Sequence, residues 1–209
     1  MLAKVREIIV KAQDKESFFS IIASFYPSLD WRYKLIEKAY NDANDAFRDT
    51  QRESGMQYFE HLRATTLILI LYLRVRDYRI IIASILHDIV EDIPTWTISL
   101  VRDVYGDEIA LLVQYMTKPK EYPKEESEQI YHDRFAQAPR DFFLIKLPDR
   151  LHNVLTLNPC ALEKRLRKVE ETKRYYLPYA EKNQILIHEL EQALAEVNLD
   201  DAGGINSTS

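Results

Sequence analysis

Residues 84–93 read SILHDIVEDI. Four ionisable side chains, His87, Asp88, Glu91 and Asp92, sit there among Ile, Val and Leu. Buried charge is costly unless it is paired or bound to a metal, so a helix that merely filled a core would not carry them. At about 100° per residue, Glu91 falls about 40° from His87 and Asp92 about 40° from Asp88, and all four share an arc of about 140°. Ile85, Leu86, Ile89 and Val90 cover the rest of the circumference. The spacing predicts one helix over 79–92 whose polar arc faces an internal cleft.

Two other clusters supply partners for that arc. In LIKLPDRLHN, 144–153, Asp149 and Asn153 lie four apart on one helical face amid Leu and Ile. In RESGMQYFEH, 52–61, a glycine turn precedes a helix carrying His61. His61, His87, Asp88 and Asp149 together offer two imidazoles and two carboxylates. That mixture of nitrogen and hard oxygen suits Mn²⁺, Fe²⁺ or Zn²⁺ better than Ca²⁺. Open positions on an octahedral ion would hold water and substrate. Glu91 and Asp92, one turn along, are placed to orient or deprotonate that water.

The rest of the chain reads as helix. No segment shows sustained period-2 alternation, whereas stripes such as Ile36, Ala39, Tyr40, Ala43 and Phe47 recur at helical spacing. Helices are expected over 2–13, 16–25, 30–52, 58–75, 79–92, 97–105, 107–116, 126–137, 140–157 and 162–197. The prolines at 27, 94 and 159 stop helices, because the residue before proline avoids the helical region. Pro178 is expected to kink or break the last helix. Outside the tail the only glycines are Gly55 and Gly106, each marking a turn. Residues 117–127 form the longest loop, and 199–209 a disordered tail.

Length and composition bound the function. With 209 residues, of which 46 % are hydrophobic and 29 % charged, the chain is expected to form one all-α domain over 1–198. A net charge of −5, with no basic block, argues against nucleic-acid binding. A single cysteine, Cys160, excludes an internal disulfide and fits a reducing, cytoplasmic setting. The N-terminus lacks the apolar run of a signal peptide. ATTLILILYL, 64–73, is about half of the roughly 20 residues needed for a membrane span.

At this point the motifs resemble a family. RESGMQYFEH is similar to Arg-x-x-Gly-x-Pro-Tyr-x-x-His, ASILHDIVED to Ala-x-Leu-Leu-His-Asp-x-x-Glu-Asp, and IKLPDRLHNVLTL to Val-Lys-Leu-Ala-Asp-Arg-Leu-His-Asn-x-x-Thr-Leu. These are signatures of the hydrolase domain of the RelA/SpoT family, a branch of the HD phosphohydrolases, and YGDEIALLVQYMTK fits the same pattern. The resemblance spans about residues 35–180 and leaves 1–30 as an added helical region. It implies an HD-type helical bundle, a small alarmone hydrolase with no synthetase domain following.

By that resemblance His61, His87, Asp88 and Asp149 bind one Mn²⁺, with Zn²⁺ or Fe²⁺ less favoured. Glu91 and Asp92 activate the attacking water, Arg52 meets substrate charge, and Asn153, Thr156 and Tyr176 surround the nucleoside. The implied reaction removes pyrophosphate from the 3′ position of guanosine tetra- or pentaphosphate, leaving GDP or GTP. Competing readings are a phosphatase of another 2′- or 3′-phosphorylated nucleotide such as NADPH, and a non-catalytic sensor or antitoxin. A homo-oligomer and a functional pairing with an alarmone synthetase are left open.

The chain departs from the pattern at Gln57, Leu62 and Pro148, and carries Glu53 where a basic residue is usual. None of these removes a ligand. Lys118 reads as a solvated lysine, Arg150 and His152 as packing or pairing residues, and His132 and His188 as surface residues.

Overall fold

The computed structural model describes residues 1–11 and 14–200. Among them the chain forms α1 (Leu2–Ile9), α2 (Lys15–Ala23), α3 (Trp31–Ala46), α4 (Tyr58–Leu67), α5 (Tyr78–Ile85), α6 (Ile89–Asp92), α7 (Ile98–Tyr105), α8 (Asp107–Met116), α9 (Lys124–Asp133), α10 (Arg140–Leu155), α11 (Leu162–Glu171), α12 (Leu177–Asn183) and α13 (Ile187–Ala195). π-helical turns extend α4 over Ile68–Tyr72 and join α11 to α12 over Thr172–Tyr176. The all-α expectation is borne out; an isolated bridge between Gln51 and Gln57 is the extended pairing among the described residues.

Local chemistry explains where several helices start. The side chains of Asp14, Asp30, Asp77 and Thr97 accept first-turn N–H groups of α2, α3, α5 and α7. Such caps stabilise by about 1 kcal/mol each. Gly106, at φ 91°, separates α7 from α8 with a backbone that an L side chain resists.

Helix α10 runs through the middle and packs on α4, α5, α8, α12 and α13. Residues 142–152 are buried without a gap, so Lys146, Asp149, Arg150 and His152 must all find partners inside the protein. The helix continues through Pro148. Helix α1 buries Leu2, Val5 and Ile8 against α4, the Ile68–Tyr72 turn and α13. Buried apolar residues from Leu2 to Val197 join one cluster. The apolar stretch 64–73 supplies part of it, and among the described residues no helix is long and apolar enough to cross a membrane.

Several boundaries differ from expectation. The helix expected over 79–92 breaks between Ile85 and Ile89. There His87 Nδ1 donates to the Ser84 carbonyl at 2.8 Å, a bond that competes with helical continuation. The helix expected over 30–52 stops at Ala46 and gives way to a loop that carries Arg52. The segment 162–197 breaks at Gln184 and Leu186, both left-handed at φ 55° and 56°. Pro178 instead sits in the first turn of α12, where its missing N–H costs little. Helix α1 ends at Ile9; residues 12–13 of its expected span, and 201–209 of the expected disordered tail, lie outside the described residues.

Candidate metal centre and substrate cleft

Three elements bring the four expected ligands together. Helix α4 carries His61, the turn between α5 and α6 carries His87 and Asp88, and α10 carries Asp149. His61 Nε2 lies 3.1 Å from Asp149 Oδ1 and 3.8 Å from Asp88 Oδ2. His87 Nε2 lies 3.2 Å from Asp88 Oδ2 and 3.7 Å from Asp149 Oδ1. Both imidazoles and Asp149 are buried.

The donor set fits a divalent metal. With its Nδ1–H committed to Ser84, His87 presents Nε2, a buried nitrogen that makes no hydrogen bond. A ligating histidine commonly has its other N–H held in this way. Spacings of 3.1–3.8 Å between donors are close to the roughly 3.0–3.4 Å polyhedron edges that follow from ligand bonds of about 2.0–2.1 Å. The charges also call for a cation. Burial disfavours a charged His87, yet Asp88 and Asp149 override it and push the imidazole up to about 10. Burial pushes the Asp149 carboxyl up, and Lys146 overrides that to hold it well below the carboxylate range. His61, by contrast, is driven down by burial.

A cleft of about 230 Å³ includes His61, Asp88 and Asp149 in its wall, together with Glu91, Arg52, Asn153, Thr156 and Tyr176. Lys118, Lys146, Arg150, Lys164 and Lys168 line it too, so an acidic protein presents one cation-rich hollow. Arg52 reaches it from the loop before α4. That loop is closed by Tyr58 N–H to Thr50 O (2.9 Å) and Arg52 N–H to Met56 O (2.9 Å), and turns at Gly55, φ 80°. The Arg52 guanidinium donates to Asn153 Oδ1, and Asn153 Nδ2 donates to Asp149 Oδ1 at 2.6 Å.

The remaining expected residues are less alike than their spacing implied. Glu91 faces the cleft and accepts both the N–H and the ammonium of Lys118, each at 3.2 Å. Asp92 lies outside the wall and accepts the Tyr58 hydroxyl at 2.6 Å; that hydroxyl is also 2.9 Å from Asp88 Oδ2. Burial, then the neighbouring Asp88, raises the Asp92 carboxyl. The break after Ile85 thus replaces the single polar arc with two separately held acids. The Thr156 hydroxyl bonds back to the His152 carbonyl at 2.9 Å. Tyr176 is buried with the Arg150 guanidinium 3.8 Å from its ring centroid.

Other residues correct or extend the sequence reading. Lys118 is held by Glu91 rather than solvated. His132, expected at the surface, is buried; its ring stacks on Tyr175 at 3.9 Å, and Nε2 lies 3.6 Å from Glu171. Glu171 gathers Arg150 at 2.7 Å and Lys168 at 2.7 Å, and this ion network draws His132 inward. His188 is exposed, as expected. His152, read as a packing or pairing residue, pairs: its Nδ1 lies 2.8 Å from His61 Nδ1. Its position three residues after Asp149, on the same α10 face, was the available signal.

A profile of the HD domain matches residues 39–186, well over half of the chain. The chain belongs to the HD domain family. Over 191 residues this HD domain protein is 30% identical to "Bifunctional (p)ppGpp synthase/hydrolase SpoT" of Escherichia coli (strain K12), covering 88% of this chain and 26% of that protein. Over 153 residues it is 37% identical to "GTP pyrophosphokinase" of Streptomyces coelicolor, covering 70% of this chain and 18% of that one. It thus spans about a quarter or less of these curated relatives. Its fold is similar to a solved structure described as "A metazoan ortholog of SpoT hydrolyzes ppGpp and plays a role in starvation responses", with a TM-score of 0.71 and 22% identity over 79% of this chain and 97% of that one. The resemblance to the RelA/SpoT type read from the motifs is borne out.

Proposed function

We propose that this HD domain hydrolyses guanosine 3′,5′-polyphosphates at the 3′-diphosphate, releasing pyrophosphate, with Mn²⁺ held by His61, His87, Asp88 and Asp149. The observation that carries the reading is one cleft containing convergent imidazole and carboxylate donors, a further carboxylate, Glu91, in its wall and a surplus of cations. The names of the E. coli relative and of the structural neighbour support the substrate class.

Bound there, the divalent ion supplies an acidified water and a polarised phosphoryl oxygen. The protein's own groups do the rest. Glu91, in the cleft wall, takes the proton of the attacking water. Tyr58 ties Asp92 to Asp88 and so fixes the ligand's orientation. Arg52, Lys118 and Lys146 meet phosphate charge, which a net −5 chain supplies only locally. Asn153, Thr156 and Tyr176 border the space left for the nucleoside. The cellular role this reaction implies is removal of an alarmone made by a synthetase.

The deciding experiment incubates the Mn²⁺-loaded protein with guanosine tetraphosphate and, separately, with NADPH, following pyrophosphate and phosphate. Pyrophosphate release from the tetraphosphate is expected. Phosphate from NADPH alone reassigns the substrate, and release of neither removes the enzyme reading.

A further inference from the structure

The two metal-site imidazoles are held in different ways. His87 uses a backbone carbonyl, the ordinary device. His61 Nδ1 instead faces another imidazole nitrogen, His152 Nδ1, at 2.8 Å, with ring centroids 4.9 Å apart. Two nitrogens at that distance need one proton between them.

Arg52 decides which nitrogen carries it. Its Nη1 stands 3.5 Å from the same His152 Nδ1. A guanidinium only donates, so His152 Nδ1 is the atom that accepts. A neutral His61 with its proton on Nδ1 then offers the Nε2 lone pair to a bound ion; without the ion that Nε2 stands 3.1 Å from Asp149 Oδ1, which can only accept, so this tautomer is the one the metal completes. That is the tautomer a metal ligand requires. His152 is itself buried on α10, and the Thr156 hydroxyl bonds its carbonyl at 2.9 Å.

From these contacts we infer that His152 is a positioning residue: a neutral imidazole whose Nδ1 accepts from His61 and stands against the Arg52 guanidinium, fixing the ligand tautomer and linking metal binding to the phosphate-facing arginine. The inference rests on the metal-site reading above. It assigns a role to a side chain that touches neither metal nor substrate.

The test measures Mn²⁺ binding, with the metal alone, to the wild type, His152→Phe and His152→Asn. The Asn carboxamide oxygen stands near the position of Nδ1 and can accept the His61 proton. Affinity is expected to fall about 10–100-fold in His152→Phe and to return to within a few-fold in His152→Asn. In parallel, ¹⁵N NMR of the wild type loaded with diamagnetic Zn²⁺ reads both rings directly, with the proton expected on His61 Nδ1 and His152 expected neutral with its Nδ1 unprotonated. A His152→Phe protein that binds Mn²⁺ like the wild type, or a protonated His152 Nδ1, overturns the inference while leaving the metal site intact. If His152→Phe fails to fold, the NMR reading decides. A wild type that binds no Mn²⁺ removes both the inference and the reading beneath it.

Discussion

The ammonium of Lys146 lies 2.9 Å from Asp149 Oδ2, while Oδ1 of the same carboxylate faces the imidazoles. Both residues are buried, three apart on α10. One oxygen is therefore neutralised by the lysine, and the other is left facing the imidazoles. Removing the lysine leaves an uncompensated buried charge, which costs about 3–5 kcal/mol. Lys146→Met is expected to lower the denaturant midpoint accordingly, and Lys146→Met with Asp149→Asn to regain part of the loss. Equal midpoints for wild type and Lys146→Met would refute the pairing.

Metal uptake should release a proton. In the metal-free protein Asp88 and Asp149 outweigh burial and hold His87 up to about 10, against an ordinary 6.5. Stability from that raised imidazole is complete below 6.5 and is lost as pH rises through about 10. A ligating imidazole must be neutral, so Mn²⁺ binding at about pH 8 is expected to expel about one proton. Calorimetry in two buffers of different ionisation enthalpy reads the number. No buffer dependence would exclude His87 as a charged group displaced by the ion.

Acid should loosen the ion network that holds Arg150 and Lys168 beside the cleft. Burial pushes the Glu171 carboxyl up, but His132, Arg150 and Lys168 together hold it far below 4.5. A depressed carboxylate contributes stability above its unfolded value, and that contribution drains away as pH falls below about 4.5. Glu171→Gln is expected to cost about 3 kcal/mol at neutral pH by leaving buried cations unpaired. It should also flatten the fall in melting temperature between about pH 5 and 3. An unchanged slope would assign the acid sensitivity elsewhere.

Ligand and base should separate by mutation. Asp149→Ala is expected to abolish Mn²⁺ binding. Glu91→Gln should bind the ion like the wild type yet lose turnover by about 10²–10⁴-fold, the usual contribution of a positioned base. Normal turnover by Glu91→Gln would show that another group activates the water.

The helical class and the convergence of His61, His87, Asp88 and Asp149 were legible because ionisable residues inside apolar runs must meet one another. The break after Ile85 was not, since it depends on an imidazole reaching a carbonyl three residues back. Ideal helical geometry therefore paired Glu91 with His87, whereas the folded chain pairs Glu91 with Lys118. His132 was misplaced for a related reason: its ring partner and its counter-ion lie beyond the end of α10, invisible to local pattern. Glycine turns at Gly55 and Gly106 were readable because a positive φ leaves few alternatives.

Helix α10 carries Lys146, Asp149, Arg150, His152 and Asn153 within two turns, and their partners are Asp149 itself, His61, Glu171 and Arg52. Their directions are set by a single screw axis. Inserting one residue before Lys146 turns all five by about 100° together, so the metal centre, the cation wall and the arginine anchor fail as one event. Arg52, carried by a separate loop, is free of that constraint. A change at Arg52 is therefore felt at α10 only through the contacts to Asn153 and His152, whereas a shift of α10 moves every one of them.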